Sequence, residues 1–198
     1  MQVCIAGCHT NVGKTYASAM LCASLGYDYF KIIQAGIPKD CEIITSFAPH
    51  SKIYPEGYVL QTPASPHIGK KIEKANYNAK EITIPQSQNL IIETAGGLYS
   101  PIDEKYCMID FISHHHLKTL LVGGYYLGSI NHILLSIEAL KNRNMQLMGL
   151  IMSGEQNKDF DNFISEYAKV KILHLPFFDK SNFETIKKDF KQALDIIF

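Results

Sequence analysis

The residues with the clearest chemical purpose stand at the start of the chain, in Gly7-Cys8-His9-Thr10-Asn11-Val12-Gly13-Lys14-Thr15. A glycine-bearing loop ending in Gly-Lys-Thr holds phosphate when a strand precedes it and a helix follows. Both conditions are met, since residues 3–6 form a short apolar run and residues 16–25 carry a helical pattern. In that setting the loop N–H groups and the positive end of the helix dipole converge on one anion. Gly13 lets the backbone come close, Lys14 reaches the β/γ-phosphates, and Thr15 offers its hydroxyl to Mg²⁺. His9, Thr10, Asn11, Val12 and Tyr16 complete the expected nucleotide contacts around them.

Further candidates follow the other apolar runs. Lys31 lies within Phe30-Lys31-Ile32-Ile33, and a lysine there is expensive to bury without an anion or carboxylate. An edge-strand lysine that reaches solvent is the equal alternative. Asp40 opens a helical pattern and reads first as a cap or first-turn acid. Residues 60–68 form a proline-punctuated loop, with Pro66 at a helix start. Glu93 stands at the tip of the run 89–92, where nucleotide hydrolases hold Mg²⁺ directly or through water. Gly96 and Gly97 after it allow the backbone to lie against a ligand. Gly128, Ser129 and Asn131 open a helix whose free N–H groups could grip a carboxylate or phosphate. Ordinary capping by Ser129 or Asn131 explains that segment equally simply.

These residues need a scaffold that gathers the ends of several strands. Strands are predicted over 3–6, 29–33, 89–92, 119–122, 147–152 and 171–175. Helices are predicted between them over 16–25, 41–47, 66–76, 107–114, 130–142, 159–167 and 183–197. Such alternation implies an α/β fold of the P-loop NTPase type, a mostly parallel sheet flanked by helices on both faces. Ligands in such sheets sit at the carboxyl ends of the strands, where the candidates lie. The 198 residues suit one domain, 1–198, and 46% hydrophobic with 19% charged residues is a globular balance. Nineteen basic and nineteen acidic side chains cancel, which points to neither nucleic acid nor an acidic polymer as partner. Five cysteines without a CxxC pair read as reduced thiols. With no signal-like start and no membrane-length apolar run, a cytoplasmic protein is expected.

The phosphate loop has one more residue than usual, since Gly7 and Gly13 enclose five instead of four. Its sequence resembles the Gly-Thr-x-Thr-x-Val-Gly-Lys-Thr loop of dethiobiotin synthetases. Four further segments are similar to that family. Lys31 to Gly36 resembles its Lys-Pro-x-x-(Ser/Thr)-Gly, with Ile32 for the proline and Ala35 for the hydroxyl residue. Pro63-Ala64-Ser65-Pro66-His67 resembles a loop that lines the family's diamine pocket. Glu93 to Pro101 resembles Glu-Gly-Ala-Gly-Gly-x-x-(Ser/Thr)-Pro, with Thr94 for the first glycine. Leu127 to His132 matches Leu-Gly-x-Ile-Asn-His, a helix start that grips the substrate carboxylate across a dimer interface.

The resemblance implies an ATP- and Mg²⁺-dependent ligase of biotin biosynthesis that converts 7,8-diaminononanoate and CO₂ to dethiobiotin, releasing ADP and phosphate. It implies Lys14, Lys31 and Thr10 as catalytic residues and Thr15, Asp40 and Glu93 as metal ligands, with Glu42 the alternative to Asp40. Lys31, Ala35, Pro63, Ser65, Gly97, Gly128, Ser129 and Asn131 would bind substrate, in a homodimer that shares its sites. Gly96, Gly97, Ser153 and Pro176 would join the loop in binding nucleotide.

The likeness fails at the base pocket. Ser153 stands where the family has an adenine-reading Asn, and Phe160 breaks a guanine-reading Asn-Lys-x-Asp pattern. The alternative function is a dimeric partitioning or division-site ATPase that works through protein partners. Such proteins carry an extra lysine early in the loop, where this chain's basic candidate is His9. His114-His115-His116 reads as a solvated helix end, because three consecutive residues point in different directions.

Overall fold

The computed structural model describes residues 1–197 and alternates strand and helix along the chain. Six strands form one parallel sheet: β1 (Gln2–Gly7), β2 (Asp28–Lys31), β5 (Leu90–Gly97), β6 (Lys118–Gly124), β7 (Leu147–Ser153) and β8 (Ile172–Leu175). Their order is β2-β5-β1-β6-β7-β8, so β1 lies inside the sheet between β5 and β6. Val3 to Ala6 have no exposed surface, because both faces of that strand are covered. Val3 and Ile5 pack to one side with Ala17, Met20, Leu21 and Phe190. Cys4 and Ala6 pack to the other with Ile109, Ile112, Ile133 and Ile137.

The helices follow from that burial. α1 (Lys14–Leu25), α2 (Asp40–Phe47) and α7 (Phe183–Ala193) cover the first face. α4 (Met108–His114), α5 (Ser129–Asn142) and α6 (Lys158–Ala168) cover the second. α3 (Pro66–Glu73) is shorter than the predicted 66–76, because Lys74 turns to a left-handed φ of 52°. The last helix gives way at Ala193 to a 3-10 turn, Leu194–Ile196, instead of running on to residue 197. No helix among the described residues is long and apolar enough to cross a membrane.

One predicted strand divides. The run 29–33 leaves the main sheet after Lys31, once Ile32 has donated its N–H to the Glu93 carbonyl at 3.0 Å. The chain then builds a separate two-stranded ladder from β3 (Gln34–Ala35) and β4 (Val59–Leu60). This detour brings Gly36, Ile37 and Pro38 to the lining of the main cavity, and α2 begins there at Asp40.

Candidate active site

The phosphate loop joins the end of β1 to the start of α1. At Gly13, φ is 91°, and a Cβ there would stand 2.5 Å from Ser153 Oγ. Glycine is therefore required by both conformation and space. The same contact sets the end of β7 directly against the loop. Lys14 opens α1 and is buried, with its Nζ 3.4 Å from the His9 carbonyl across the loop. Burial, and after it the charge of Lys31, lowers the Lys14 pKa to about 8. An anion seated in the loop would favour the charged form again.

Below the loop lies a dense ionic cluster. Parallel register pairs Lys31 of β2 with Glu93 of β5. Lys31 Nζ donates to Glu93 Oε1 at 2.6 Å and to the Thr94 carbonyl at 3.1 Å, and it is also ion-paired with Asp40 Oδ2. Glu93 has no exposed surface. Its Oε1 also accepts from Thr15 Oγ1 at 3.1 Å, while Oε2 accepts from Ser18 Oγ at 2.7 Å and Tyr29 OH at 3.1 Å. Burial works against the Lys31 ammonium, but Glu93 and Asp40 outweigh it and its pKa is raised. Burial and Glu93 likewise push the Tyr29 phenol well up, which keeps it a donor. Lys31 is thus no solvent-reaching edge lysine.

The donors fit a hard divalent cation. Two carboxylates and a hydroxyl are all-oxygen ligands of the kind that Mg²⁺ takes, and an ammonium already bridges both carboxylates as a stand-in cation. Glu42 is engaged elsewhere, since it accepts from the Lys39 N–H and closes the capping box of α2.

These groups open into one cavity of about 1480 Å³. Thr10, Asn11, Val12, Gly13, Lys14, Thr15 and Tyr16 form one wall, with Lys31, Asp40 and Glu93 at its base. Ala35, Pro63 and Ser65 line the side made by the β3–β4 ladder and the loop before α3. Ser153, set against Gly13, and Pro176 also line the cavity, as does Gly96. At Gly96, φ is 64° and a Cβ would meet Ser100 Oγ at 2.2 Å, so this turn too needs glycine. Thr94, which departs from the family pattern, is wholly buried and donates its hydroxyl to the Ile5 carbonyl at 3.3 Å.

His9 and Gly97 face a second hollow of about 750 Å³, shared with Thr10, Tyr99, His132 and Leu135. Gly128, Ser129 and Asn131 border neither hollow. Gly128 is the N-cap of α5, with no side-chain capping hydrogen bond from Ser129 or Asn131, and Leu127 before it is fully exposed. The Ser129 hydroxyl is buried there with no partner among the described residues.

Sequence reasoning missed Ser18 and Tyr29. Both carried a signal: Ser18 is one helical turn beyond Thr15, and Tyr29 shares a strand face with Lys31. It also missed Gln34, whose buried amide accepts from the Asp40 N–H at 3.1 Å and donates to the Gly36 carbonyl at 2.9 Å. On the base side, Gln156 donates to Asp161 at 2.9 Å and Asn157 caps α6, so both neighbouring amides are already engaged. The described residues contain no close trio of histidine, cysteine or acidic side chains suited to a metal, at 114–116 or elsewhere.

Comparison with known proteins agrees with this architecture. The AAA domain family profile matches residues 1–185. An ATP-dependent dethiobiotin synthetase (BioD) of Campylobacter jejuni is 55% identical over 197 residues, covering 100% of this chain and 97% of that protein. The BioD of Lawsonia intracellularis is 42% identical, covering 89% of this chain and 88% of its own. Among solved structures, a ParA family ATPase from Chlorobium tepidum covers 98% of this chain and 92% of its own, with a TM-score of 0.56 at 13% identity. The MinC:MinD cell division complex of Aquifex aeolicus matches over 98% of this chain and 95% of its own, with a TM-score of 0.57 at 13% identity. Those two likenesses concern the fold alone. The full-length identity to the synthetases, together with the phosphate loop and the cluster beneath it, makes this chain a member of the ATP-dependent dethiobiotin synthetase family, ligases built on an AAA-type P-loop domain.

Proposed function

We propose that this chain uses ATP and Mg²⁺ to close 7,8-diaminononanoate and CO₂ into dethiobiotin, with Lys14 and Lys31 as the principal catalytic cations. The observation that carries this reading is the pair of buried lysines lining one cavity, with Lys31 ion-paired to both Asp40 and Glu93. In the reaction, one amine adds to CO₂ and loses a proton, giving a carbamate. A carbamate oxygen attacks the γ-phosphorus, the bond to the β-phosphate oxygen breaks, and ADP leaves. The second amine then attacks the carbonyl carbon of the mixed anhydride, expels phosphate and closes the ring.

Each step gathers negative charge on oxygen, so positioning and neutralisation matter more than covalent catalysis. Lys14 and the loop N–H groups hold the β- and γ-phosphates. Lys31 serves the carbamate and the transferring oxygens, and Thr10 stands where the two hollows meet. Thr15, Asp40 and Glu93 would hold Mg²⁺, which neutralises phosphate charge. Ala35, Pro63, Ser65 and Gly97 line the diamine's path. Phosphate release from ATP should require both the diamine and bicarbonate. Release indifferent to both would instead mark an ATPase driven by protein partners.

A homodimer completes the site in this reading. The free N–H groups of α5, the unpartnered Ser129 hydroxyl and the exposed Leu127 and Leu135 suit a helix start that grips the carboxylate of substrate bound to a partner subunit. Lys14→Ala and Gly128→Glu proteins, each inactive alone, should regain part of the activity once their subunits exchange. No recovery despite proven exchange would confine the site to one chain. A cytoplasmic setting suits the five free cysteines.

A further inference from the structure

We infer that Lys31 keeps the place of a divalent cation between Asp40 and Glu93, and that a cation entering this site displaces its ammonium toward the phosphate loop. The inference rests on the proposed metal-binding role of these carboxylates and adds what the lysine does to their affinity. Lys31 Nζ touches one oxygen of each carboxylate and the Thr94 carbonyl, a set made entirely of hard oxygen acceptors. Thr15 Oγ1 shares the same Glu93 oxygen, Oε1. That oxygen cannot swing away to serve two cations in turn, because Ser18 and Tyr29 anchor Oε2 on the other side of the carboxylate.

An Mg²⁺ on Oε1 would sit about 2.0–2.1 Å from it. The ammonium is 2.6 Å from that same oxygen. Two cations at such distances from one atom repel strongly in a buried site. The ammonium is the mobile partner, since it ends a four-carbon stem with freely rotating donors. Lys31 lines the same cavity as the phosphate loop, so the displaced charge turns toward that loop and is fully compensated once an anion is seated there. Before any ligand arrives, the two lysines balance Asp40 and Glu93. The structure therefore links release of Lys31 for chemistry to joint arrival of the cation and the triphosphate.

The test measures cation binding rather than turnover. Mn²⁺, which favours the same oxygen ligands, is titrated into nucleotide-free full-length protein and followed by water-proton relaxation. Lys31→Met should bind it roughly tenfold more tightly than wild type, within the usual range of coupling between ligands that compete. Lys31→Arg, which keeps a cation in place, should stay near wild type. Equal or weaker binding by Lys31→Met overturns the inference. Wild-type protein gives an independent reading that needs no variant. The Lys31 Nζ ammonium resonance should shift when Mg²⁺ is added without nucleotide, and an unmoved resonance at saturating cation also overturns it. Neither result depends on turnover, so failure of the ligase reading would appear separately in the phosphate-release assay.

Discussion

Replacing Lys31 with alanine is expected to lower kcat by a factor on the order of 10² to 10³, as loss of one preorganised charge donor does. Affinity for ATP, measured by calorimetry without the diamine, should change far less. The difference follows from where the two lysines stand. Lys14 reaches across the phosphate loop toward the His9 carbonyl and should hold phosphate in the ground state. Lys31 lies deeper, on Glu93 and Asp40, where charge concentrates only as the carbamate and the transferring phosphoryl group meet. Lys31→Gln, which keeps most of the stem, separates lost charge from lost packing. A near wild-type rate for Lys31→Ala, or a defect that lies wholly in ATP binding, would rule out the role given to this residue.

Glu93→Ala should destabilise the fold by about 3–5 kcal/mol, the usual result of removing one partner from a buried ion pair. Four donors meet at this carboxylate, and its loss leaves Ser18 Oγ and Tyr29 OH, both in wholly buried residues, without their acceptor. Glu93→Gln keeps the volume but turns one acceptor oxygen into a donor among donors, at about 1–3 kcal/mol. The midpoint of urea unfolding should fall in that order while the slope stays constant. An alanine variant with the wild-type midpoint would show that the network contributes nothing to stability. Addition of ligand cannot mask this result, since the measurement is made without nucleotide or metal.

Much of the site was legible because its chemistry is local. Gly13-Lys14-Thr15 is contiguous, and the apolar run before it reads as a short buried strand. Lys31 and Glu93 were legible as strand-end charges, and their pairing followed from the parallel register. What escaped was set by tertiary contacts across long stretches of chain. Ser18 and Tyr29 meet Glu93 from sequence separations of 75 and 64 residues, and a serine or tyrosine inside an apolar run looks like filler. The division of the run 29–33 was hidden because Ile32 and Ile33 are as apolar as a strand interior requires; only pairing of β3 with β4 reveals the turn. Asp40 was placed at a helix start correctly, yet Gln34, which fixes its backbone N–H, carried no signal of that task.

The inner position of β1 governs when the site can exist during synthesis. Its neighbours begin pairing with it at residues 90 and 118, so the strand carrying the phosphate loop leaves the ribosome long before either partner. At about 5–20 residues per second, Val3 to Ala6 wait on the order of ten seconds for β5. Such parallel pairings between distant segments fold slowly and expose apolar edges in the interval. A nascent chain arrested before residue 90 has neither Glu93 nor a strand to seat Lys31 against. The strand that carries the phosphate loop is thus secured only once β5 and β6 have emerged, and the carboxylate that completes the ionic cluster arrives with the first of them.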